Sequence, residues 1–267
     1  MFTETHAHLD YPEFAQEIPA LLERAAKSGI HRIISIGTSL ESSARAVDLA
    51  SRHDNIYAAV GWHPSHVLEA PDDIRTELRS LARHPKVVAI GETGLDYYRL
   101  PSTQEQPSPV SDEEYKRRQA NLFEQQIEVA RELGLNCVIH QRAASEAALK
   151  QWGPHADRIR GVFHCFIESA EVMRQIIALN SLVSFTGIVT FKNAEGVKAT
   201  LAATPLDKLM LETDCPYLAP VPFRGKRSEP AHVQLVATEV ARIKGITLEA
   251  LSQATERTVR EFFPAIK

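Results

Sequence analysis

Two histidines, His6 and His8, stand two residues apart in the segment Thr3-Glu-Thr-His-Ala-His-Leu-Asp10 at the start of the chain. On a β-strand, residues two apart point to the same side, so both imidazoles would aim at one point. Neutral imidazole nitrogen is a common ligand of transition-metal ions. A histidine pair alone is weak evidence, because histidines are common both on surfaces and in cores. The pair therefore has to be judged together with the rest of the chain.

Similar side chains recur at the ends of later apolar runs: Glu92, His140, His164 and Asp214. Any one of them could be a hydrogen-bonded core residue or a helix cap. With the first pair they make four histidines and two carboxylates. That is too many ligands for one structural ion and suits two ions that share a bridging ligand. The set predicts the binuclear metal centre of a hydrolase.

The chain alternates between short β-rich runs and longer amphipathic segments. The predicted strands are Phe2–His8, Arg32–Ile36, Tyr57–Gly61, Val87–Glu92, Asn136–His140, Gly161–His164, Leu182–Thr186 and Lys208–Asp214. The predicted helices are Ile18–Ser28, Ser42–Arg52, Ile74–Arg83, Tyr115–Leu133, Ala170–Leu179, Ala194–Ala203, Ala231–Ile243 and Leu248–Phe263. Eight strand–helix units in 267 residues match an α/β fold, a single (β/α)8 TIM barrel that spans residues 1–267. No internal repeat, charge block or linker indicates a second domain.

The six candidate ligands end or follow five of the predicted strands. Barrel enzymes place their chemistry at the C-terminal ends of the strands, where the βα loops converge. Six placements on one rim argue against coincidence. The sequence therefore predicts a metal site at the C-terminal end of the barrel.

Two neighbours belong to the same rim. Glu212 and Asp214 are two apart on the last predicted strand, so both are expected to face the barrel interior. Glu212 would either orient a ligand or contact substrate, or a basic residue elsewhere would pair with it. His63, in Gly61-Trp-His-Pro64, ends the third strand, and we expect it to face the substrate because six ligands are already present.

A Pro-, Ser- and Gln-rich stretch, Pro101–Ser111, follows the strand that carries Glu92. It would either project from the catalytic face or form a disordered surface insertion. Ser111 and Glu114 form a capping box for the long helix after it, and Gly134 is placed to end that helix.

The net charge of −4 argues against binding of nucleic acid through the overall charge of the protein, so an anionic polymer would need a local basic patch on the surface. Arg224 and Lys226 belong to the densest basic run, and Lys192 and Arg142 could add contacts from neighbouring strands. Alternatively, the run is a solvated loop whose charges pair with Glu229 or other carboxylates.

Nothing in the sequence resembles a membrane span or a secretory leader. The three cysteines lie on or beside apolar runs without metal-site spacing, which favours reduced, buried thiols. We therefore expect a soluble, cytoplasmic protein with no membrane association, and no obligate protein partner is evident.

Six motifs, in this order, resemble the motif set of the TatD family, metal-dependent deoxyribonucleases of the amidohydrolase-like barrel superfamily. The motifs are His6-Ala-His-Leu-Asp10, Gly61-Trp-His-Pro64, Gly91-Glu-Thr-Gly-Leu-Asp-Tyr-Tyr98, His140-Gln-Arg142, His164-Cys-Phe166 and Leu211-Glu-Thr-Asp-Cys-Pro-Tyr-Leu-Ala-Pro220. The resemblance covers most of the chain, and none of its departures, such as the length of Pro101–Ser111, removes a candidate ligand.

The resemblance implies two divalent ions per chain. By analogy, one would take His6, His8 and Asp214, the other His140 and His164, with Glu92 as the bridge. Water activated between the ions would attack a phosphodiester of DNA, and Asp214 could both ligate and accept the proton. The resemblance further implies exonucleolytic cleavage from the 3′ end. Mg, Mn, Zn and Co all suit nitrogen–carboxylate sites, so the metal stays open.

Two other functions stay open at this point. A related barrel hydrolase could act on another ester, such as an aminoacyl-tRNA or a small molecule. A non-catalytic metal- or nucleic-acid-binding protein could have kept the barrel, although a binding module does not need six convergent ligands.

Overall fold

Eight parallel strands form one sheet in the order β1 to β8, and the computed structural model describes residues 1–104 and 109–266. The strands are β1 (Phe2–Ala7), β2 (Ile30–Ile36), β3 (Ile56–Val60), β4 (Val87–Asp96), β5 (Asn136–Arg142), β6 (Gly161–Phe163), β7 (Leu182–Phe185) and β8 (Leu209–Leu211). Each strand pairs in parallel with the next one along the chain. The predicted TIM barrel is confirmed.

Helices alternate with the strands and two of them close the chain. They are α1 (Ile18–Lys27), α2 (Leu40–Arg52), α3 (Arg75–Ala82), α4 (Asp112–Leu133), α5 (Ser145–Trp152), α6 (Ala170–Ala178), α7 (Glu195–Ala203), α8 (Val233–Lys244) and α9 (Leu248–Phe262). None of the helices formed by the described residues combines the length and apolar character of a membrane span.

The barrel closes where the segment after β8 meets β1. Ala7 forms a parallel bridge with Cys215. The backbone N–H of His8 donates to the carbonyl oxygen of Cys215 (2.9 Å), and that of Asp214 donates to the carbonyl oxygen of His6 (3.0 Å). This closure brings the two ends of the candidate ligand set side by side.

The apolar residues form two layers. One lies inside the barrel, where Ile34, Val138 and Met210 pack with Phe262 and Phe263 from the end of α9. The other lies between the strands and the surrounding helices. The end of α9 thus packs against these interior residues.

Three details differ from the sequence prediction. Helix α5 was not predicted, and its N-cap Ala144 has no side-chain hydrogen bond to mark the start. β4 extends to Asp96 instead of ending at Glu92. β8 ends at Leu211, so the expectation that Glu212 and Asp214 share this strand is wrong. Asp214 has a φ of 60°, and this left-handed backbone cannot continue a strand.

The two ends of α4 lie where they were predicted, but only half of the predicted capping box forms, because the Glu114 side chain pairs with Arg117 and Arg118. The Ser111 hydroxyl accepts the backbone N–H of Glu114 (3.2 Å), and Gly134 ends the helix with a left-handed φ of 66°. The prediction for Pro101–Ser111 falls partly on residues 105–108, which lie outside the described residues. On the described side, Ser102 bonds through its N–H to Asp112 at the start of α4 (2.8 Å).

Candidate metal centre

A cavity of about 500 Å³ lies at the C-terminal ends of the strands. Five of the six candidate ligands line it, and His63 lines it as well: His8, His63, Glu92, His140, His164 and Asp214. The sixth candidate, His6, lies just beneath and is fully buried. The structure therefore brings together all six candidate ligands and the additional histidine.

Glu92, on β4, is the centre of this cluster. Its Oε1 lies 2.7 Å from His164 Nε2 and 2.9 Å from His140 Nδ1. Its Oε2 lies 3.5 Å from His6 Nε2 and 3.7 Å from His8 Nε2. The two carboxylate oxygens thus face two different pairs of histidines, which is the arrangement that a bridging ligand needs.

The first group consists of His6, His8 and Asp214, whose ligand atoms lie close enough to hold one ion. Asp214 Oδ1 is 3.3 Å from His8 Nε2 and 3.6 Å from His6 Nε2. His8 Nδ1 donates to the carbonyl oxygen of Ile36 (3.1 Å), so its Nε2 is left without a proton in the neutral ring. That nitrogen is free to bind a metal.

The second group surrounds Glu92 Oε1. His140 Nδ1 lies 3.1 Å from His164 Nε2, and His140 Nε2 donates to Asp96 Oδ2 (3.3 Å). A proton held on Nε2 by Asp96 would leave His140 Nδ1 free to bind a metal. Gly94 lets β4 approach this close, because a Cβ there would lie 2.0 Å from the carbonyl oxygen of His140.

His63 lies beside the second group, but in its neutral ring the proton is on the nitrogen that faces the cavity. Its Nδ1 accepts the backbone N–H of Ser65 (3.1 Å), so the neutral ring carries its hydrogen on Nε2. Nε2 lies 3.2 Å from both Glu92 Oε1 and His140 Nδ1. In this tautomer His63 offers a hydrogen-bond donor to the cavity, and its substrate-facing role stays a prediction.

The chemistry of the cluster fits a metal centre. Both ring nitrogens of His6 are buried and have no hydrogen-bond partner among the described residues. Its Nε2 nevertheless has two carboxylate oxygens, from Glu92 and Asp214, within 3.6 Å. A buried nitrogen that faces two carboxylates suits a divalent cation between them.

The carboxylates keep their charge despite burial. Burial alone would raise the pKa of Glu92, but the surrounding rings, His63 and His164 foremost, hold it well below the usual range. Burial likewise acts against ionisation of Asp214, while the contact of its Oδ1 with the His8 ring at 3.3 Å lowers its pKa. The cluster therefore holds two negative charges at neutral pH.

The histidines divide into two classes. Burial lowers the pKa values of His8, His140 and His164, but neighbouring carboxylates outweigh it and raise all three. For His63, burial dominates and lowers the pKa to about 4, so the ring is neutral at neutral pH. For His6, burial and the nearby His164 lower the pKa together.

Buried glutamines of α4 position the rim, and sequence reasoning missed them. Gln126 accepts the N–H of Trp62 (2.8 Å) and donates to its carbonyl oxygen (3.0 Å), which holds the loop that carries His63. Gln119 accepts the N–H of Asp96 (2.9 Å). The two glutamines are seven residues apart, so they lie on one helix face, and this spacing was a usable clue.

Glu4 is a second buried residue that the sequence analysis missed. It lies two residues before His6 on β1 and is fully buried. Its Oε1 accepts the N–H of His6 (2.9 Å) and that of Thr213 (3.0 Å), and its Oε2 accepts the Thr213 hydroxyl (2.6 Å). Burial raises the pKa of Glu4 to about 8. Glu4 ties the histidine strand to the segment that carries Asp214.

Glu212 lies beneath His164 and is 1% exposed. Its Oε1 accepts the N–H of Cys165 (2.7 Å), its Oε2 accepts the Ser184 hydroxyl (2.7 Å), and Oε1 is 3.5 Å from His164 Nδ1. Of the roles considered from sequence, orientation of a ligand fits this position, and direct contact with substrate does not.

The basic run after β8 is held by its neighbours. Arg227 forms an ion pair with Glu17, and Glu229 is occupied by Arg24 at 2.6 Å. Arg224 lies over the ring of Phe191, 4.3 Å from its centroid. The run therefore does not pair with Glu229, but Arg227 pairs with another carboxylate, Glu17, as the alternative of a charge-paired loop expects for that residue.

Four exposed cations remain as possible substrate contacts. Arg224, Lys226 and Lys192 are exposed, and none of them forms an ion pair with another described residue. Arg142 lines the cavity itself and lies over the ring of Tyr98. Of these four, only Arg142 lines the cavity, and Arg99, also exposed, lines it as well; the other three lie outside its lining.

Comparison with known proteins gives a consistent result. A family model described as TatD related DNase matches residues 3–264. The chain is 38% identical to the metal-dependent hydrolase YabD of Bacillus subtilis strain 168 over 98% of this chain and 99% of that protein. It is 31% identical to a protein of Enterobacter lignolyticus named 3′-5′ ssDNA/RNA exonuclease TatD, over 96% of each chain. The crystal structure of the TatD homologue YJJV from Escherichia coli K12 superimposes with a TM-score of 0.89 at 28% identity, covering 98% of both chains.

Proposed function

The chain belongs to the TatD-related family of metal-dependent hydrolases, and on this premise we propose that it hydrolyses phosphodiester bonds of DNA from the 3′ end. The observation that supports this most directly is Glu92, whose two carboxylate oxygens face separate histidine pairs. The name of the Enterobacter lignolyticus relative supports the exonuclease activity and its polarity.

Two divalent ions are part of the proposal. His6, His8 and Asp214 would hold one ion, His140 and His164 the other, and Glu92 would contact both. Bound divalent ions would acidify water and offset the negative charge of a phosphoryl group.

Two residues of the chain itself would handle protons. The Asp214 carboxylate lines the cavity and stays ionised, so it can accept the proton of the attacking water. His63 is neutral and presents Nε2–H, so it can donate a hydrogen bond to a phosphoryl or leaving oxygen. Asp214 and His63 line the same cavity, in which the reacting phosphodiester would bind.

A second candidate is hydrolysis of a small phosphoester. A cavity of about 500 Å³ is within the range of small-molecule sites, roughly 300–1,000 Å³. This candidate needs the same metal chemistry but no contacts to a polymer outside the cavity.

The test is product analysis with metal-stripped protein reloaded separately with Mg, Mn, Zn or Co. Single- and double-stranded DNA oligonucleotides, labelled at the 3′ or the 5′ end, are compared with RNA, an aminoacyl ester and bis(p-nitrophenyl) phosphate. We expect release of labelled mononucleotides from the 3′ end, absent in Glu92→Gln. Hydrolysis of the small esters without any cleavage of oligonucleotides would refute the nuclease proposal.

A further inference from the structure

Arg142 ends β5 at the rim of the cavity, and its guanidinium lies over a tyrosine ring. The guanidinium carbon is 3.7 Å from the centroid of the Tyr98 ring, and Tyr98 is 56% exposed. Within residues 1–104 and 109–266, Arg142 forms no ion pair with a carboxylate. Its N–H donors therefore remain available to an anion that enters the cavity.

The pair is anchored to the strands that carry the metal centre. The backbone N–H of Tyr97 donates to the carbonyl oxygen of Arg142 (2.8 Å), and the N–H of Tyr98 donates to Asp96 Oδ1 (2.9 Å). Asp96 also accepts from His140, so one carboxylate positions both the ring and a candidate ligand. The stacking ring limits the rotamers of the guanidinium before any ligand binds.

The spacing along β5 matches a second phosphate. Arg142 is two residues beyond His140, so both side chains leave the strand on the same side, roughly 6.6 Å apart along it. Both line the same cavity. A distance of this size is comparable to the step between neighbouring phosphates of an extended single strand.

We propose that Arg142, held by Tyr98, binds the phosphate next to the one that is hydrolysed. The site would take a strand with at least two phosphates, and the planar guanidinium would bind two oxygens of the second one. It would thereby favour an oligonucleotide over a mononucleotide or a small phosphoester. This inference rests on the proposed function, because it assigns the second phosphate relative to a phosphodiester at the metal centre.

The experiment measures the affinity of the metal-loaded protein for ligands whose internal phosphodiester is replaced by an uncleavable methylene phosphonate, so it does not depend on turnover. Binding of thymidine 5′-monophosphate is compared with that of the dinucleotide pTpT with this replacement, for wild type and variants. In wild type, the second phosphate should strengthen binding about tenfold. Arg142→Ala should lose this gain and leave the mononucleotide affinity unchanged. Arg142→Lys should keep only part of the gain, because lysine carries the charge but lacks the planar guanidinium.

The tyrosine is tested separately. In Tyr98→Ala, the gain in affinity from the second phosphate should be about threefold smaller than in wild type. Tyr98→Phe keeps the ring and should retain the full gain. Arg260→Ala is the charge-matched control, because it removes an exposed arginine of α9, the helix whose end contacts Asn136 at the opposite end of the barrel.

The outcomes separate this inference from the proposed function. Equal losses for mononucleotide and dinucleotide in Arg142→Ala, or no loss for either, would overturn the second-phosphate site, whether or not metal-loaded protein cleaves DNA. A gain that depends on Arg142, in a protein that cleaves no DNA when loaded with metal, would refute the nuclease proposal and support the site.

Discussion

Glu92 is the residue whose replacement tests the binuclear centre most directly. Its two oxygens contact the two histidine groups separately, at 2.7–2.9 Å on one side and 3.5–3.7 Å on the other. Glu92→Gln keeps the volume but removes the charge that both ions would share. We expect metal content to fall from about two ions per chain to one or fewer.

The loss of activity can be estimated from what the ions supply. Metal ions contribute several kcal/mol of transition-state stabilisation, and about 4 kcal/mol corresponds to about 10³-fold in rate. Glu212 offers the comparison, because it contacts His164 from below and not the cavity. Residues that orient a ligand typically change affinity or rate by about 10–100-fold, so Glu212→Gln should retain measurable activity.

The barrel should survive both substitutions. Replacing the Glu92 carboxylate weakens the hydrogen bond that His63 Nε2 can donate to its Oε1 (3.2 Å), about 1–3 kcal/mol for a group left unsatisfied. This is less than the 5–15 kcal/mol that typically stabilises a domain.

The assay combines elemental analysis of metal content, turnover of a labelled oligonucleotide and thermal melting. Two ions per chain with near-normal turnover in Glu92→Gln would refute the bridging role. A folded Glu212→Gln variant with no activity at all would contradict the view that Glu212 only orients His164 while Glu92 holds the ions.

Three further predictions concern protons, the buried anchor and salt. Carboxylates raise the pKa values of three ligand histidines, so without metal these rings keep a proton to a higher pH than an ordinary histidine does. Metal binding should therefore release protons and weaken as the pH falls. Calorimetry in two buffers of different ionisation enthalpy measures the protons released, and identical heats of binding in the two buffers would contradict the prediction. Glu4→Ala should destabilise the protein by about 3 kcal/mol in urea unfolding, because buried donors of His6 and Thr213 lose their acceptor, and an unchanged midpoint would exclude this role. Arg224→Ala and Lys226→Ala should weaken metal-free oligonucleotide binding similarly for all base sequences and lower the salt slope by about 0.7 each, and unchanged slopes would remove these residues from the binding surface.

Regular strand geometry explains why the ligand set could be predicted from sequence. His6 and His8 obey the two-residue period of β1, and parallel strands of a barrel end on one rim. The same rule could have identified two residues that were missed. Glu4 precedes His6 by two residues on β1, and Asp96 follows Glu92 by four on β4, so each shares a strand face with a ligand.

Local backbone conformation explains what the spacing could not predict. β8 has only three residues, and Asp214 reaches the site from a left-handed turn whose φ is 60°. Ala143 and Cys165, which follow the ends of β5 and β6, also have positive φ values. Such residues cluster where tertiary contacts hold a functional loop, and no periodicity in the sequence encodes them.

The buried glutamines show a different limit. On an amphipathic helix, Gln119 and Gln126 look like residues of the solvent face, because glutamine is mostly exposed in proteins. Here they face the barrel and satisfy backbone groups of Asp96 and Trp62. Their role depends on loops that leave backbone donors unpaired, and those loops are known only once the fold is known.

Whether a histidine of the cluster can bind a metal or donates a hydrogen bond depends on the partner of its far nitrogen, the one that points away from Glu92 and Asp214. The far nitrogens of His8 and His140 face a carbonyl and a carboxylate, acceptors that need a proton, so the near nitrogens are bare. The far nitrogen of His63 instead accepts the N–H of Ser65, in a turn that begins just after the strand, so its near nitrogen carries the proton. The five similar imidazoles around Glu92 can therefore include both ligands and a donor, because the partner behind a ring decides which nitrogen is free.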